Sequence, residues 1–370
     1  MLLRRLCLLV SFLFAFAAAR LQPLQLPPSS VTAAPCVSET EVQAQTRTLT
    51  LEQVATLIQK AVADDVEAQC LLAVAYGEGI AVSRDDREAA RWLHKAAARG
   101  VAWTEDRLAI MYHIGRGVPQ NDVEAVKWYR AAAKQHDPKA ENHLAHMYFK
   151  GDGVRRDEAL AAKWYQAAAE QGLAGAQNNL GALYQEGRGV PRDYVQAMKW
   201  YRAAAQQGVA EAANNLATLY EAGLGVPRDI KEALHWYRVA AEQGQAVGES
   251  NLARMYCEGQ GVPRDLRQAA NWYVKSARQG YAPAQGRLGR MYATGEGVPL
   301  DYVAAYAWLT LAARGGHKPS KKAAHDLTHI MTPKQLQAAQ IRLSFQSQSQ
   351  SRTAGVLIDK HLPAEVWQSK

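Results

Sequence analysis

The chain has 370 residues, of which 48% are apolar, and its formal net charge is +8. This apolar content excludes a generally disordered chain and is enough for one extended array or for two or three ordinary domains. The positive charges are spread along the sequence without a block of five or six, so we expect no nucleic-acid partner.

The first 19 residues have the pattern of an export signal. Arg4 and Arg5 precede an apolar segment over residues 6–16, and three alanines at 17–19 form a small-residue cleavage site. The apolar segment is shorter than the roughly 20 residues that span a bilayer. We therefore expect cleavage after Ala19 and a periplasmic or secreted protein with no stable membrane span. The alternative is an uncleaved membrane anchor.

Residues 20–49 contain four prolines and few regularly spaced apolar residues, a composition that predicts a flexible linker. The segment also contains Cys36, one of three cysteines beyond the signal, with Cys70 and Cys257. A Cys36–Cys70 disulfide and free buried thiols are both compatible with an oxidising compartment.

The next part of the chain, residues 64–315, repeats itself seven times with a step of 36 residues. The step is the same for a tryptophan, for a tyrosine and for a glycine in each unit. The tryptophans are Trp92, Trp128, Trp164, Trp200, Trp236, Trp272 and Trp308; the tyrosines are Tyr76, Tyr112, Tyr148, Tyr184, Tyr220, Tyr256 and Tyr292; the glycines are Gly79, Gly115, Gly151, Gly187, Gly223, Gly259 and Gly295. A period of this length predicts one pair of helices per unit.

The unit around Trp200 illustrates the predicted helix pair. Its first helix spans about residues 174–186 and ends at a Gly-x-Gly-Val turn, where glycine tolerates the left-handed conformation. Asp193 then begins the second helix as N-cap, with Gln196 as the partner of a capping box. Because all seven units contain such a turn, it joins helices and is not a phosphate-binding loop. The Trp-Tyr pair, which recurs beside alanines, is predicted to lie in the core.

Both ends of the array are predicted to carry helical caps, because a terminal repeat otherwise exposes an apolar face. Residues 50–63 form the expected N-terminal capping helix and residues 316–344 the expected C-terminal capping helices. Residues 345–370 begin with a Ser/Gln-rich run and are predicted to be a flexible tail.

The unit "AQNNLGALYQEGRGVPRDYVQAMKWYRAAAQQG" closely resembles the Sel1-like repeat (SLR) family of the tetratricopeptide-like superfamily. The resemblance covers about two thirds of the chain, with local departures at Ala81 and His136. It implies an all-α fold, a right-handed α/α superhelical solenoid, that acts as a scaffold or adaptor without enzymatic activity. Exported bacterial members of the family resemble envelope proteins, so the resemblance implies a protein or peptide partner in the cell envelope.

In this architecture the first helices line the concave surface, which makes their polar faces the candidate binding site. One column, at 36-residue spacing, holds Asn142, Asn178 and Asn214; the next holds His146, Arg254 and Arg290. The amides can both donate to and accept from a peptide backbone, and the arginines suit a carboxylate. The alternative is that these side chains form only a solvated polar face.

Two pairs of histidines have the spacing of possible metal ligands. His325 and His329 lie one helical turn apart, as in the zinc-protease motif, but the intervening acid is Asp326 and no third ligand is evident. His143 and His146 are three residues apart. We predict no metal, no cofactor and no catalytic residue. An envelope enzyme or ligand-binding protein that acts on cell-wall-derived molecules is the alternative to the scaffold.

Overall fold

A computed structural model describes residues 37–344, and within this range the chain is helical and contains no strand. The described residues therefore confirm the all-α solenoid. The first helices of the seven repeats are α3 (Val66–Glu78), α5 (Ala102–Ile114), α7 (Pro138–Lys150), α9 (Ala174–Glu186), α11 (Ala210–Ala222), α13 (Ala246–Glu258) and α15 (Ala282–Thr294). The second helices are α4 (Asp86–Ala97), α6 (Asp122–Lys134), α8 (Glu158–Glu170), α10 (Tyr194–Gln206), α12 (Ile230–Glu242), α14 (Leu266–Arg278) and α16 (Tyr302–Arg314).

Four more helices flank the repeats: α1 (Glu39–Thr46), α2 (Leu51–Val62), α17 (Lys318–Thr328) and α18 (333–344). Helix α1 lies inside the segment that the sequence predicts to be a linker, so the structure differs from that prediction over residues 37–49. The signal peptide, the rest of the linker, Cys36 and the tail lie outside the described residues. Within residues 37–344, none of the helices combines the length and the apolar composition that crossing a bilayer requires.

The turn inside each repeat is closed by backbone and side-chain hydrogen bonds. In the fourth repeat Gly187 is left-handed, with φ of 72°, and its N–H donates to Leu183 O at 2.8 Å. Asp193 Oδ1 accepts from the N–H groups of Val195 (2.9 Å) and Gln196 (3.0 Å). The reciprocal half of the predicted capping box is absent here, because the N–H of Asp193 donates to Tyr184 O at 2.9 Å. The recurring tyrosine position thus fixes the turn through its main chain.

The second glycine of each turn joins neighbouring repeats. A Cβ atom at Gly189, where φ is 70°, would lie 2.0 Å from the carbonyl oxygen of Glu158 at the start of the preceding second helix. The first repeat has Ala81 at this position, with φ of 60°. Because no complete repeat precedes it, a Cβ is tolerated there. The departure at Ala81 therefore marks the beginning of the array.

The core is built where the two helices of a repeat meet. Tyr201 is 1% exposed, Trp200 is 9% exposed, and the Tyr201 hydroxyl donates to Gln185 Oε1 at 2.7 Å. Glycine at 181 lets the Tyr201 ring approach, since a Cβ there would lie 2.8 Å from it. The recurring tryptophans are less uniform than predicted: Trp164, Trp236 and Trp272 are only half-buried. All three still pack against the buried core.

Candidate partner-binding face

First helices of successive repeats contact one another, as α5 does with α7 and α11 with α13, and α15 contacts the capping helix α17 in the same way. Within the described residues, no pair of second helices makes comparable contacts. The inner face is the surface of the first helices that points away from the second helices, and it includes Asn142, Asn178 and Asn214. All six predicted site residues lie on first helices.

The predicted asparagines form a hydrogen-bonded ladder between repeats. Each accepts from the asparagine one position further along in the next repeat. Asn142 Oδ1 accepts from Asn179 Nδ2 (3.2 Å), Asn178 from Asn215 (3.5 Å) and Asn214 from Asn251 (2.9 Å). Sequence reasoning missed the second members of these pairs. The signal that marks them is the doubled asparagine at 178–179 and 214–215.

The hydrogen bonds between repeats reduce the number of hydrogen bonds that these asparagines can form with a partner. Asn178 is 8% exposed and Asn214 is 7% exposed, so both lie largely beneath the surface of the inner face. Their side-chain oxygens accept from the following repeat, and removing them would leave a half-buried donor without its acceptor. We therefore infer that the ladder stabilises the stacking of repeats, a role that the open binding site predicted from sequence does not include.

At the N-terminal end of the ladder a histidine and an aspartate take the place of the paired asparagines. His143 Nδ1 lies 2.8 Å from Oδ1 of Asp106, which is 4% exposed. His146, the remaining predicted residue of this half, is exposed on the same face. Desolvation, with Lys150 as the next cause, lowers the pKa of its imidazole. His146 is therefore neutral near pH 7 and offers one donor and one acceptor.

The two predicted arginines differ in their surroundings. Arg254 pairs with Glu221 (Nη2–Oε2, 2.7 Å) and with Glu258 (Nη1–Oε2, 3.2 Å). Arg290 is exposed and forms no ion pair with any residue in 37–344. Both line a surface pocket of about 290 Å³ between the sixth and seventh repeats. The structure thus places Arg254 and Arg290 together at a pocket near the C-terminal end of the array, which Leu266 and Tyr273 of the second helix α14 also line.

The opposite end of the inner face binds a segment of the chain itself. The Val37 carbonyl accepts from the indole N–H of Trp103 at 2.9 Å. The Glu39 carboxylate contacts Arg107 (Nη2, 2.6 Å) on α5 and Lys139 (Nζ, 3.2 Å) on α7. Burial opposes ionisation of Glu39, but Arg107 and Lys139 outweigh it and lower its pKa. Sequence reasoning missed this contact, because the segment has no counterpart in the other repeats.

The histidines and cysteines of the described residues form no reactive site. The ring Nε2 atoms of His325 and His329 are 3.4 Å apart on the exposed surface of α17. Among residues 37–344 no group of three or more His, Cys, Asp or Glu is arranged to hold a metal ion. Burial raises the pKa of the Cys70 thiol to about 12 and also raises that of Cys257. Raised thiol pKa values do not favour a nucleophile.

These features define the class of the protein: an α-helical repeat solenoid with a polar inner face. A model of the Sel1 repeat matches seven successive segments, residues 66–101, 105–137, 138–173, 174–209, 210–245, 246–281 and 282–317. The chain therefore belongs to the Sel1 repeat family. Sel1 repeat proteins are generally protein-interaction scaffolds, and the fold is typically non-catalytic.

Two solved structures are similar over most of the chain. One is a protective antigen present in uropathogenic Escherichia coli strains that displays an SLR fold, with 34% identity, a TM-score of 0.70, and coverage of 84% of this chain and 68% of the antigen's. The other is a Sel1 repeat protein from Oxalobacter formigenes, with 30% identity, a TM-score of 0.65, and coverage of 85% and 99%. Comparison with curated proteins gives no match.

Proposed function

We propose that the protein is a non-enzymatic scaffold of the bacterial cell envelope that binds a peptide or protein partner on its inner face. The observation that carries the proposal is the segment at Val37 and Glu39. An indole N–H, a guanidinium and an ammonium from three different side chains already hold a carbonyl and a carboxylate of this segment on the inner face. The same kinds of contact can hold a segment of another protein.

The location is proposed from the first 19 residues, whose charged, apolar and small-residue regions follow the order of an export signal. Intact mass spectrometry of protein purified from the bacterial envelope tests it. We expect a mature chain that begins at Arg20. A mass that includes residues 1–19 would instead indicate a retained anchor.

Partner capture with matched variants tests binding on the inner face. His146 and Thr218 are exposed on first helices, whereas His235 and Gln206 are exposed on second helices. We expect His146→Glu/Thr218→Glu to reduce capture from envelope extract at least tenfold. His235→Glu/Gln206→Glu adds the same charge and should leave capture unchanged.

Circular dichroism of both double variants shows whether they remain folded. Undiminished capture by a folded His146→Glu/Thr218→Glu variant would place the binding site away from the inner face. Equal losses in the two variants would show that added charge alone, and not its position, weakens the interaction.

A further inference from the structure

From the second to the seventh repeat, one column of the inner face has arginine only at its first and last positions. It consists of the residues at 36-residue spacing from position 107: Arg107, His143, Asn179, Asn215, Asn251 and Arg287. Arg107, on α5, is 3% exposed and binds Glu39 through Nε (3.0 Å) and Nη2 (2.6 Å). Both nitrogens donate to the same Glu39 oxygen, Oε1, and such charge-assisted hydrogen bonds are stronger than neutral ones. Arg287 occupies the equivalent position on α15, five repeats later.

The surroundings of Arg287 are rich in positive charge. The pocket of about 290 Å³ is lined by Arg254, Arg264, Arg287 and Arg290, against the acids Glu258 and Glu296. Glu258 is already paired with Arg254 at 3.2 Å. Arg287 and Arg290 are exposed, and neither forms an ion pair with a residue in 37–344. The site therefore has cationic groups available for an anionic ligand.

From this geometry we propose that Arg287 and Arg290 bind the carboxylates of an acidic segment of another protein, as Arg107 binds Glu39. The inference rests on the proposed function, since it names the chemistry of the partner. The proposal assigns recognition to Arg287 instead of Arg254, because Arg254 is already paired with Glu221 and Glu258. Sequence reasoning did not single out Arg287.

The chain's own remaining segments complement this pocket poorly. Residues 1–36 contain no Asp or Glu. Residues 345–370 contain two acids, Asp359 and Glu365, against three bases, Arg352, Lys360 and Lys370. Charge complementarity therefore favours a separate acidic protein over a segment of this chain.

Fluorescence anisotropy with a labelled decapeptide of alternating Glu and Ser tests the proposal on the full mature chain. We expect Arg287→Gln/Arg290→Gln to weaken binding at least tenfold, which corresponds to about 1.4 kcal/mol. The matched control is Arg238→Gln/Arg278→Gln, which removes two exposed arginines from second helices. It should change the affinity less than twofold, and a Gln-Ser peptide should not bind.

Three results would overturn the proposal: equal weakening by the two double variants, no weakening by Arg287→Gln/Arg290→Gln, or equal binding of the Gln-Ser peptide. Vesicles containing phosphatidylglycerol are run in parallel. Arginine-dependent binding to vesicles without binding to the Glu-Ser peptide would identify a lipid surface and would also overturn it. If partner capture still depends on His146 and Thr218 in any of these cases, the proposed function stands and only the acidic ligand is wrong.

Discussion

The two ends of the inner face place arginine at the same position of the repeat but surround it differently. Arg107 is buried and bound to Glu39, whereas Arg287 is exposed and has no ionic partner among residues 37–344. The repeat fixes where the side chain lies, and the neighbouring segment determines whether its charge stabilises the fold or stays accessible. The N-terminal end of the inner face is therefore structural, and the C-terminal end is the better candidate for binding.

The largest expected difference between the two ends is in stability, and replacing each arginine by alanine measures it. Arg107→Ala leaves the Glu39 carboxylate, whose side chain is 21% exposed, without its main partner. Lys139 stays 3.2 Å from this carboxylate, so the loss is that of charge-assisted hydrogen bonds, about 1.5–3 kcal/mol, and we expect a clear loss of thermal stability. Arg287→Ala should change the free energy of unfolding by less than about 0.5 kcal/mol. Thermal denaturation of the two variants measures the difference, and equal effects would remove the contrast between the ends.

The contrast also shows what the sequence could and could not predict. Helix pairs, turns and caps follow from residues that recur every 36 positions, such as Trp200 and Gly187, so the fold was predictable. Helix α1 has no such recurrence and is held by Arg107 and Lys139 from two other repeats. The column of Asn142, Asn178 and Asn214 was predictable as well. Its bonding to the following repeat was not, because that depends on the offset between neighbouring first helices.

The second test concerns the turn glycines at the two ends of the array. A Cβ at Gly297, in the last repeat, would lie 2.2 Å from the Leu266 carbonyl oxygen. Gly297→Ala should therefore cost about 2–3 kcal/mol, because the backbone of two repeats has to separate. Ala81 already has a Cβ at this position in the first repeat. Ala81→Gly should change the free energy of unfolding by less than about 1 kcal/mol, because relief of its left-handed backbone opposes the added entropy of the unfolded chain.

Hydrogen exchange measures this effect locally, since a solenoid can open from one end. We expect Gly297→Ala to speed exchange in α15 and α16 more than in α3 and α4. Unchanged exchange at the C-terminal end would mean that the close contact between Gly297 and Leu266 is absent in solution.

The third test uses a buried carboxyl group that the last repeat lacks. Glu105 is 4% exposed, and Gln135 Nε2 donates to its Oε2 at 2.8 Å. Burial raises its pKa to about 7, with a further contribution from Asp137. The equivalent residue of the last repeat is Gln285, and Gln177 shows that glutamine can accept the same bond, from Gln207 at 2.8 Å.

The sign of the pH dependence follows from this raised pKa. The stability that protonated Glu105 contributes is complete below about pH 4.5 and is lost as the pH rises through about 7. Glu105→Gln should remove this decline and stabilise the protein by on the order of 1–2 kcal/mol above pH 7. Denaturation midpoints measured between pH 4 and pH 8 test it. A steeper decline in the variant would contradict the raised pKa.

Glu158→Gln is the control with the opposite sign. Hydrogen bonds from Arg188 and Arg156 lower the pKa of the Glu158 carboxyl to about 2. Any stability that it contributes is present above about pH 4.5 and is lost as the pH falls towards 2. Glu158→Gln should therefore leave the slope between pH 5 and pH 8 as it is in the parent protein.

The smallest expected effect lies in the turn between repeats, where the second repeat has histidine and the other six have glycine. His136 has φ of 61°, and Gly280 is at the equivalent position with φ of 88°. No atom lies within 4 Å of a Cβ built at Gly280, so only backbone conformation disfavours a side chain here. The His136 imidazole is 86% exposed and 3.8 Å from Glu141, a contact that contributes little. His136→Gly should stabilise the protein by about 0.5 kcal/mol, because relief of the left-handed strain exceeds the added chain entropy.

Gly280→His should destabilise the protein by a similar amount. Urea denaturation at pH 7.5 resolves both changes, and a destabilised His136→Gly variant would show that the contact with Glu141 outweighs the strain.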